Sequence, residues 1–206
     1  MKYKLHILYK EKGFLLTFFL SLIVLIVFFG DVLWYPNTVY FGVAGDGMQT
    51  YYNSLFHVKY DTSYMYQEAM NYPFKESVFF TACHPTITNI IKFFGLVYYT
   101  IGILNLTLLL SLPVSALFLY FILKEFKVHF LISAIAAVAI GFLTPQVARM
   151  NSHYTLAYSF AIPAMIYLIV KFYNYPSFKK TILISLLVFF MASTHMYFFV
   201  FYAIII

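Results

Sequence analysis

Long apolar runs alternate with short polar links along the chain, at about residues 14–29, 95–123, 130–146, 154–170 and 181–206. Each run is close to, or longer than, the roughly 17–25 residues that cross a bilayer as a helix. The pattern predicts an all-α membrane protein: a polytopic bundle of transmembrane helices with one long outer segment, residues 30–92, after the first span. The second run is too long for a straight crossing. Pro113 within it is expected to kink the helix, because proline removes a backbone bond and crowds the preceding turn.

The outer segment has a different texture. In Val43-Ala44-Gly45-Asp46-Gly47-Met48-Gln49-Thr50 a carboxylate stands between two glycines. From there Asp46, Thr50, Asn53 and His57 fall on one helical face, and Tyr51, Leu55 and Val58 on the other. That spacing predicts an amphipathic helix lying along the membrane surface. Gly45 and Gly47 would let the backbone turn at its start, with Asp46 near its free amides. A helix is expected to begin at His84-Pro85, since proline suits a first helical turn, and "TITNIIKFF" would carry it into the second span. Asp61 reads as the cap of a helix over "TSYMYQEAM", with His57 and Lys59 at the interface. Asn105-Leu106-Thr107 spells a glycosylation sequon inside an apolar run and is read as accidental.

Composition agrees with a lipid environment. The chain of 206 residues is 63% hydrophobic and 10% charged, where soluble domains are about a quarter charged. The net charge of +6 is carried by lysines in the links, with no basic stripe or nucleic-acid module, so a nucleic-acid partner is excluded. Lys2 to Lys12, Lys124 and Lys127, and Lys171, Lys179 and Lys180 alternate to one side, which the positive-inside rule makes cytoplasmic. The N-terminus is then cytoplasmic, with residues 30–92 and the turn "ARMNSH" outside. His6 and His129 fall on the cytoplasmic side. No small-residue cleavage site follows the first apolar run, so an uncleaved signal anchor is expected. The lone Cys83 gives no disulfide or zinc pattern. The apolar run reaching Ile206 reads as the N-terminal part of a longer chain. The bias toward Lys, Ile, Phe, Tyr and Asn suggests an AT-rich bacterial genome, and the expected location is a bacterial cytoplasmic (inner) membrane.

One span, a long outer segment opening on an acidic motif, then a His-Pro element: this order resembles the C-type membrane glycosyltransferases. Protein O-mannosyltransferases, lipid A aminoarabinose transferases and oligosaccharyltransferase catalytic subunits belong to that group. "GDGMQTYYN" stands at the first motif and "HPTITNI" at the second. Gly47 occupies the place of the second acid in the family's Asp-Glu pair, Pro85 is followed by Thr86 rather than a second proline, and the metal-binding acidic motif of the oligosaccharyltransferases is absent in its usual form. The resemblance implies that residues 1–206 are the N-terminal part of a glycosyltransferase-like domain. It would move a sugar from a polyprenyl-phosphate donor to a glycan, lipid or protein acceptor.

In that scheme Asp46 is the candidate general base, taking the acceptor's proton as the bond forms, its basicity raised in a shielded cleft. A plain helix cap is the simpler reading of the residue pattern alone. Arg149, the only arginine, suits phosphate oxygens through its planar fork; its alternative is an interfacial side chain reaching for headgroups. His153 follows one turn later and would share its face if the fourth span begins early. His195 sits in an apolar run, where a polar residue faces a cavity or a partner helix, and Thr194 beside it fits the second alternative. His84 would cap its helix or point into the acceptor site, and Glu68 would be a second carboxylate. Asp46 and Glu68 are oxygen ligands of the kind magnesium or manganese takes beside phosphate. With no fixed spacing between them, no metal is assigned. The competing reading is a polytopic transporter or lipid flippase without transferase activity, with Arg149 and His195 lining its pathway. No internal repeat of the transporter kind is visible.

Overall fold

The computed structural model describes residues 2–42 and 45–206, with side chains from Lys12 onward. The side chains of Lys2, Lys4, His6 and Lys10 in the basic lead, and Val43 and Ala44 in the acidic motif, lie outside the described residues. The chain is 73% helical. Its helices are α1 (Lys2–Trp34), α2 (Gly45–Lys59), α3 (Pro85–Phe93), α4 (Thr100–Glu125), α5 (Phe130–Phe142), α6 (Pro145–Arg149), α7 (Ala161–Asn174), α8 (Phe178–Thr194) and α9 (Met196–Ile205). Two short strands, β1 (Tyr66–Gln67) and β2 (Glu76–Ser77), pair antiparallel, Tyr66 opposite Ser77.

Among the described residues, four helical stretches are long and apolar enough to cross a membrane: Lys12–Trp34, Val97–Glu125, Phe130–Arg149 and Tyr154–Asn174. They match the first four expected runs. The fifth run, read as one helix, is two: α8 of 17 residues and α9 of 10. Between them His195 is extended, at φ −158° and ψ 130°, and its side chain accepts the Tyr197 amide at 3.2 Å. A ring nitrogen filling that role starts a new helix in place of the next turn of the old one. α4 continues as one helix through Pro113, whereas α1 is interrupted at Phe29 (φ −128°, ψ 23°), beside Gly30.

α4 is the central helix, packed against α1, α5 and α7. Leu104, Leu108, Leu109 and Leu112 are wholly buried along it, and Met165 of α7, Met191 of α8 and Tyr202 of α9 complete the same core. Small polar residues join α4 to the segment entering α7: Ser159 Oγ donates to the Ser111 carbonyl at 3.0 Å, and Ser115 Oγ to the Ser159 carbonyl at 3.1 Å. Such bonds join helices where apolar packing alone discriminates poorly. At one end of the helices Lys171 pairs with Glu125 at 2.6 Å, and Lys180 donates to the Lys171 carbonyl at 3.0 Å.

At the other end residues 35–42 and 45–96 form a lobe. Asn105, the residue of the apparent sequon, fastens it to α4. Its amide nitrogen donates to the Pro36 and Val39 carbonyls at 2.8 and 2.7 Å, and its oxygen accepts the Tyr51 hydroxyl at 2.5 Å. The side chain is fully buried, which agrees with the sequon being accidental and gives the asparagine a structural role.

The expected surface helix is α2, but its polar face turns inward. Thr50, Asn53, Ser54 and His57 are buried, while Met48 and Tyr52 are exposed. The cause is an unsatisfied backbone in the neighbouring turn. Asn53 donates to the Thr81 carbonyl at 2.5 Å and Ser54 to the Cys83 carbonyl at 3.1 Å. His57 is therefore a core residue, not an interfacial one: its Nδ1 lies 2.8 Å from Asp61 Oδ2 and its Nε2 3.0 Å from Asn89 Oδ1. Asp61 caps no helix. It is buried and also accepts the Glu68 amide at 2.8 Å, in a segment that continues into β1.

Candidate functional site

The glycines around Asp46 have separate tasks. Gly45 has φ +56°, which only glycine adopts at little cost. Gly47 lies against backbone: a Cβ there would come within 2.6 Å of the Asn151 carbonyl and 2.8 Å of the Gly42 Cα. A missing side chain thus lets the first turn of α2 meet the turn after α6. The contact brings His153 to Asp46, with Nδ1 to Oδ2 at 3.6 Å. Both side chains are open to solvent, at 55% and 66% exposure, so the shielded carboxylate anticipated from sequence is not found.

His153 is held by its own backbone, its amide donating to the Arg149 carbonyl at 2.8 Å. Arg149 ends α6, half-buried, and its guanidinium makes no hydrogen bond or ion pair among the described residues. Arg149 and His153 are not on one continuous helix. After a single 3-10 turn at Tyr154–Leu156, α7 begins only at Ala161, with Pro163 in its first turn.

His84 occupies the N-terminal boundary of α3, as the His-Pro reading expects, but its side chain makes no capping bond. Its backbone is left-handed (φ 55°, ψ 58°), as is that of Ala82 (φ 55°). Two such residues without glycine mark a segment held against its local preference. The holding groups are the α2 donors already described, together with Thr88 Oγ1, which donates to the His84 carbonyl at 2.9 Å. The His84 ring is wholly buried, edge-on to Tyr154 and Tyr158 at 5.4 and 5.1 Å between centroids. Burial first, and the nearby His195 second, push its pKa down to about 3. The adjacent Cys83 thiol is buried and pushed up to about 11, so it is not a ready nucleophile.

α8 brings His195 to the same place. Ser193 Oγ and Thr86 Oγ1 bond at 2.5 Å across α8 and α3. Because His195 Nδ1 accepts the Tyr197 amide, Nε2 is left as the ring's donor. A pocket of about 250 Å³ is lined by Ala82, Pro85, Thr194, His195 and Met196. A larger groove, about 550 Å³ and almost wholly apolar, runs between α3, α4 and α8 past Ile87, Ile91, Leu110, Tyr158 and Phe190. Thr194 lines both.

Of the residues singled out in the sequence, Asp46 and His153 are in direct contact, and His195 is near enough to influence His84 and to be influenced by His153. Glu68 is engaged elsewhere. It accepts from Lys75 at 2.8 Å and from the Thr62 amide and hydroxyl at 3.0 and 2.9 Å, which hold its pKa down at about 2, Lys75 contributing most. Asp46 and Glu68 are therefore not assembled as a pair, and among the described residues no three His, Cys, Asp or Glu side chains group as metal ligands. Tyr154 and Tyr158 went unnoticed in the sequence, since two tyrosines among 20 carry no signal.

A family model described as a domain of unknown function (DUF6311) matches residues 18–206, and the chain belongs to that family. No curated protein and no solved structure matches it.

Proposed function

We propose that the chain is part of a polytopic membrane glycosyltransferase, acting at the outer face of a bacterial cytoplasmic membrane on a polyprenyl-phosphate-linked sugar. The observation that carries this reading is the meeting of two unlike surfaces at Thr194: an apolar groove and a small pocket that contains His195. An amphipathic donor has that division, with an isoprenoid chain suited to the groove and a polar head to the pocket. The exposed Val27, Phe28, Leu186 and Phe189 suit a lipid surround, and the Lys171–Glu125 pair suits a cytoplasmic end.

In the proposed step the acceptor hydroxyl gives its proton to Asp46 as its oxygen bonds the anomeric carbon. The bond from that carbon to the phosphate oxygen breaks, and the phosphate leaves with the electron pair. His153, 3.6 Å from the carboxylate, orients it. Arg149, with its guanidinium uncommitted among the described residues, is the candidate to meet the phosphate.

The test is sugar transfer from a polyprenyl-phosphate donor in membranes containing the full-length protein. Asp46→Asn is expected to lower transfer by about 10²–10⁴-fold, the range of general-base catalysis. Undiminished transfer at normal expression would remove Asp46 from the mechanism. Movement of lipid without any glycosyl product would instead favour a transporter.

A further inference from the structure

His84 is fully buried, and neither ring nitrogen has a hydrogen-bond partner among the described residues. The hydroxyl of Tyr154, whose ring it touches, is also buried and lies against the Tyr51 hydroxyl. Buried polar atoms are nearly always paired, and a wholly buried ring with both nitrogens open is an exception that calls for a cause. The strained turn that aims the ring is held by four side chains, Asn53, Ser54, Cys83 and Thr88. The fold therefore maintains an arrangement that leaves both ring nitrogens unmatched.

The geometry points to His84 and Tyr154 as the seat for a hydroxyl group of a bound ligand, a sugar or similar polyol. A buried ring with its pKa pushed down to about 3 is neutral at physiological pH, with one nitrogen donating and the other accepting. A hydroxyl, which also donates and accepts, complements it together with the tyrosine. A phosphate oxygen only accepts and finds no fixed positive charge there. The residues on either side of the turn, Ala82 and Pro85, line the 250 Å³ pocket beside it, a volume of roughly eight waters, sufficient for a sugar ring. This inference rests on the proposed glycosyl transfer only for which substrate carries the hydroxyl.

The experiment uses the full chain in detergent micelles, with thermal unfolding followed in the presence of mannose, glycerol or inorganic phosphate. Mannose and glycerol at millimolar concentration are expected to raise the unfolding midpoint of the wild type, and phosphate is not expected to act through this pair. Tyr154→Phe is expected to unfold no earlier than the wild type without ligand, and to lose the polyol protection. His84→Asn, which tolerates the left-handed backbone, is expected to lose it as well, with at least a tenfold weaker apparent affinity. A bridging structural water is the alternative: it predicts that both variants unfold earlier and that polyol protection is unchanged. That result, or a wild type protected only by phosphate or by none of the probes, overturns the inference. None of these readouts requires sugar transfer, so failure of the transferase reading would leave them standing.

Discussion

His57 and His84 are both 0% exposed, and they differ in everything else. Each ring nitrogen of His57 faces an oxygen, one on Asp61 and one on Asn89. Neither nitrogen of His84 has a partner among the described residues. The same helix, α2, supports both: it supplies His57 directly, and its Asn53 and Ser54 hold the turn that carries His84. Burial alone thus does not identify a functional histidine. A closed set of bonds marks a residue that the fold needs, and an open set marks one that the fold keeps available.

The contrast breaks most visibly under His57→Leu. Removing the imidazole leaves the buried Asp61 carboxylate and the Asn89 amide without it. Loss of one member of a buried pair costs about 3–5 kcal/mol. Chemical unfolding in detergent should show a shift of that size. A shift under ~1 kcal/mol would mean that the network is not what secures the lobe. Asn105→Leu keeps much of the side-chain volume but strands the Tyr51 hydroxyl and the Pro36 and Val39 carbonyls. A loss of about 2–3 kcal/mol is expected, from one or more unsatisfied groups. Limited proteolysis should then cut first in residues 35–42, next to the released anchor.

Acid sharpens the comparison from the other side. The folded state keeps His84 neutral down to about pH 3, while an unfolded histidine takes a proton below about 6.5. The unfolded state binds the extra proton between those values, so stability is complete above pH 6.5 and falls as pH is lowered toward 3. One proton corresponds to about 1.4 kcal/mol per pH unit. Unfolding at pH 5 should therefore show a loss of about 2 kcal/mol that is absent in His84→Asn. Glu68, held near 2, acts below pH 4.5 and overlaps only the lower part of this window, so pH 5 reports mainly on His84. Identical pH profiles for the two proteins would show that His84 is protonated in the folded state.

Much of this architecture was legible in the chain, for reasons that also explain what was not. Hydropathy located four helices because apolar length is a local property. Pro85 located the start of α3 because proline's fixed φ is local too. The polar stripe of α2 was equally visible, but a stripe does not say whether it faces water or the carbonyls of a distant turn. Thr81 and Cys83 supplied those carbonyls, so Thr50, Asn53, Ser54 and His57 are buried along with Tyr51 and Val58 of the other face. The break at His195 had no glycine or proline to announce it. It depends on a ring nitrogen accepting the Tyr197 amide, an outcome of packing. At the site, Asp46, His84, His153 and His195 stood out because polar residues are scarce in this composition. Tyr154 was hidden for the opposite reason, in a chain with 20 tyrosines.

The smallest expected effect on stability separates the two acids at either end of α2. Asp61, just beyond the helix, is buried among bonded partners, whereas the Asp46 side chain is 66% exposed, with only the 3.6 Å contact to an exposed His153. Exposed ion pairs contribute about 0–1 kcal/mol, so Asp46→Asn should move the unfolding midpoint by ~0.5 kcal/mol or less, while Asp61→Asn should approach the cost of His57→Leu. If Asp46 is only a structural element of the α2 N-terminus, whatever its replacement costs in function must follow from lost stability. If it is the proposed base, transfer falls by orders of magnitude in a protein that unfolds like the wild type. A variant with transfer and stability reduced in proportion would return Asp46 to the scaffold, alongside Asp61.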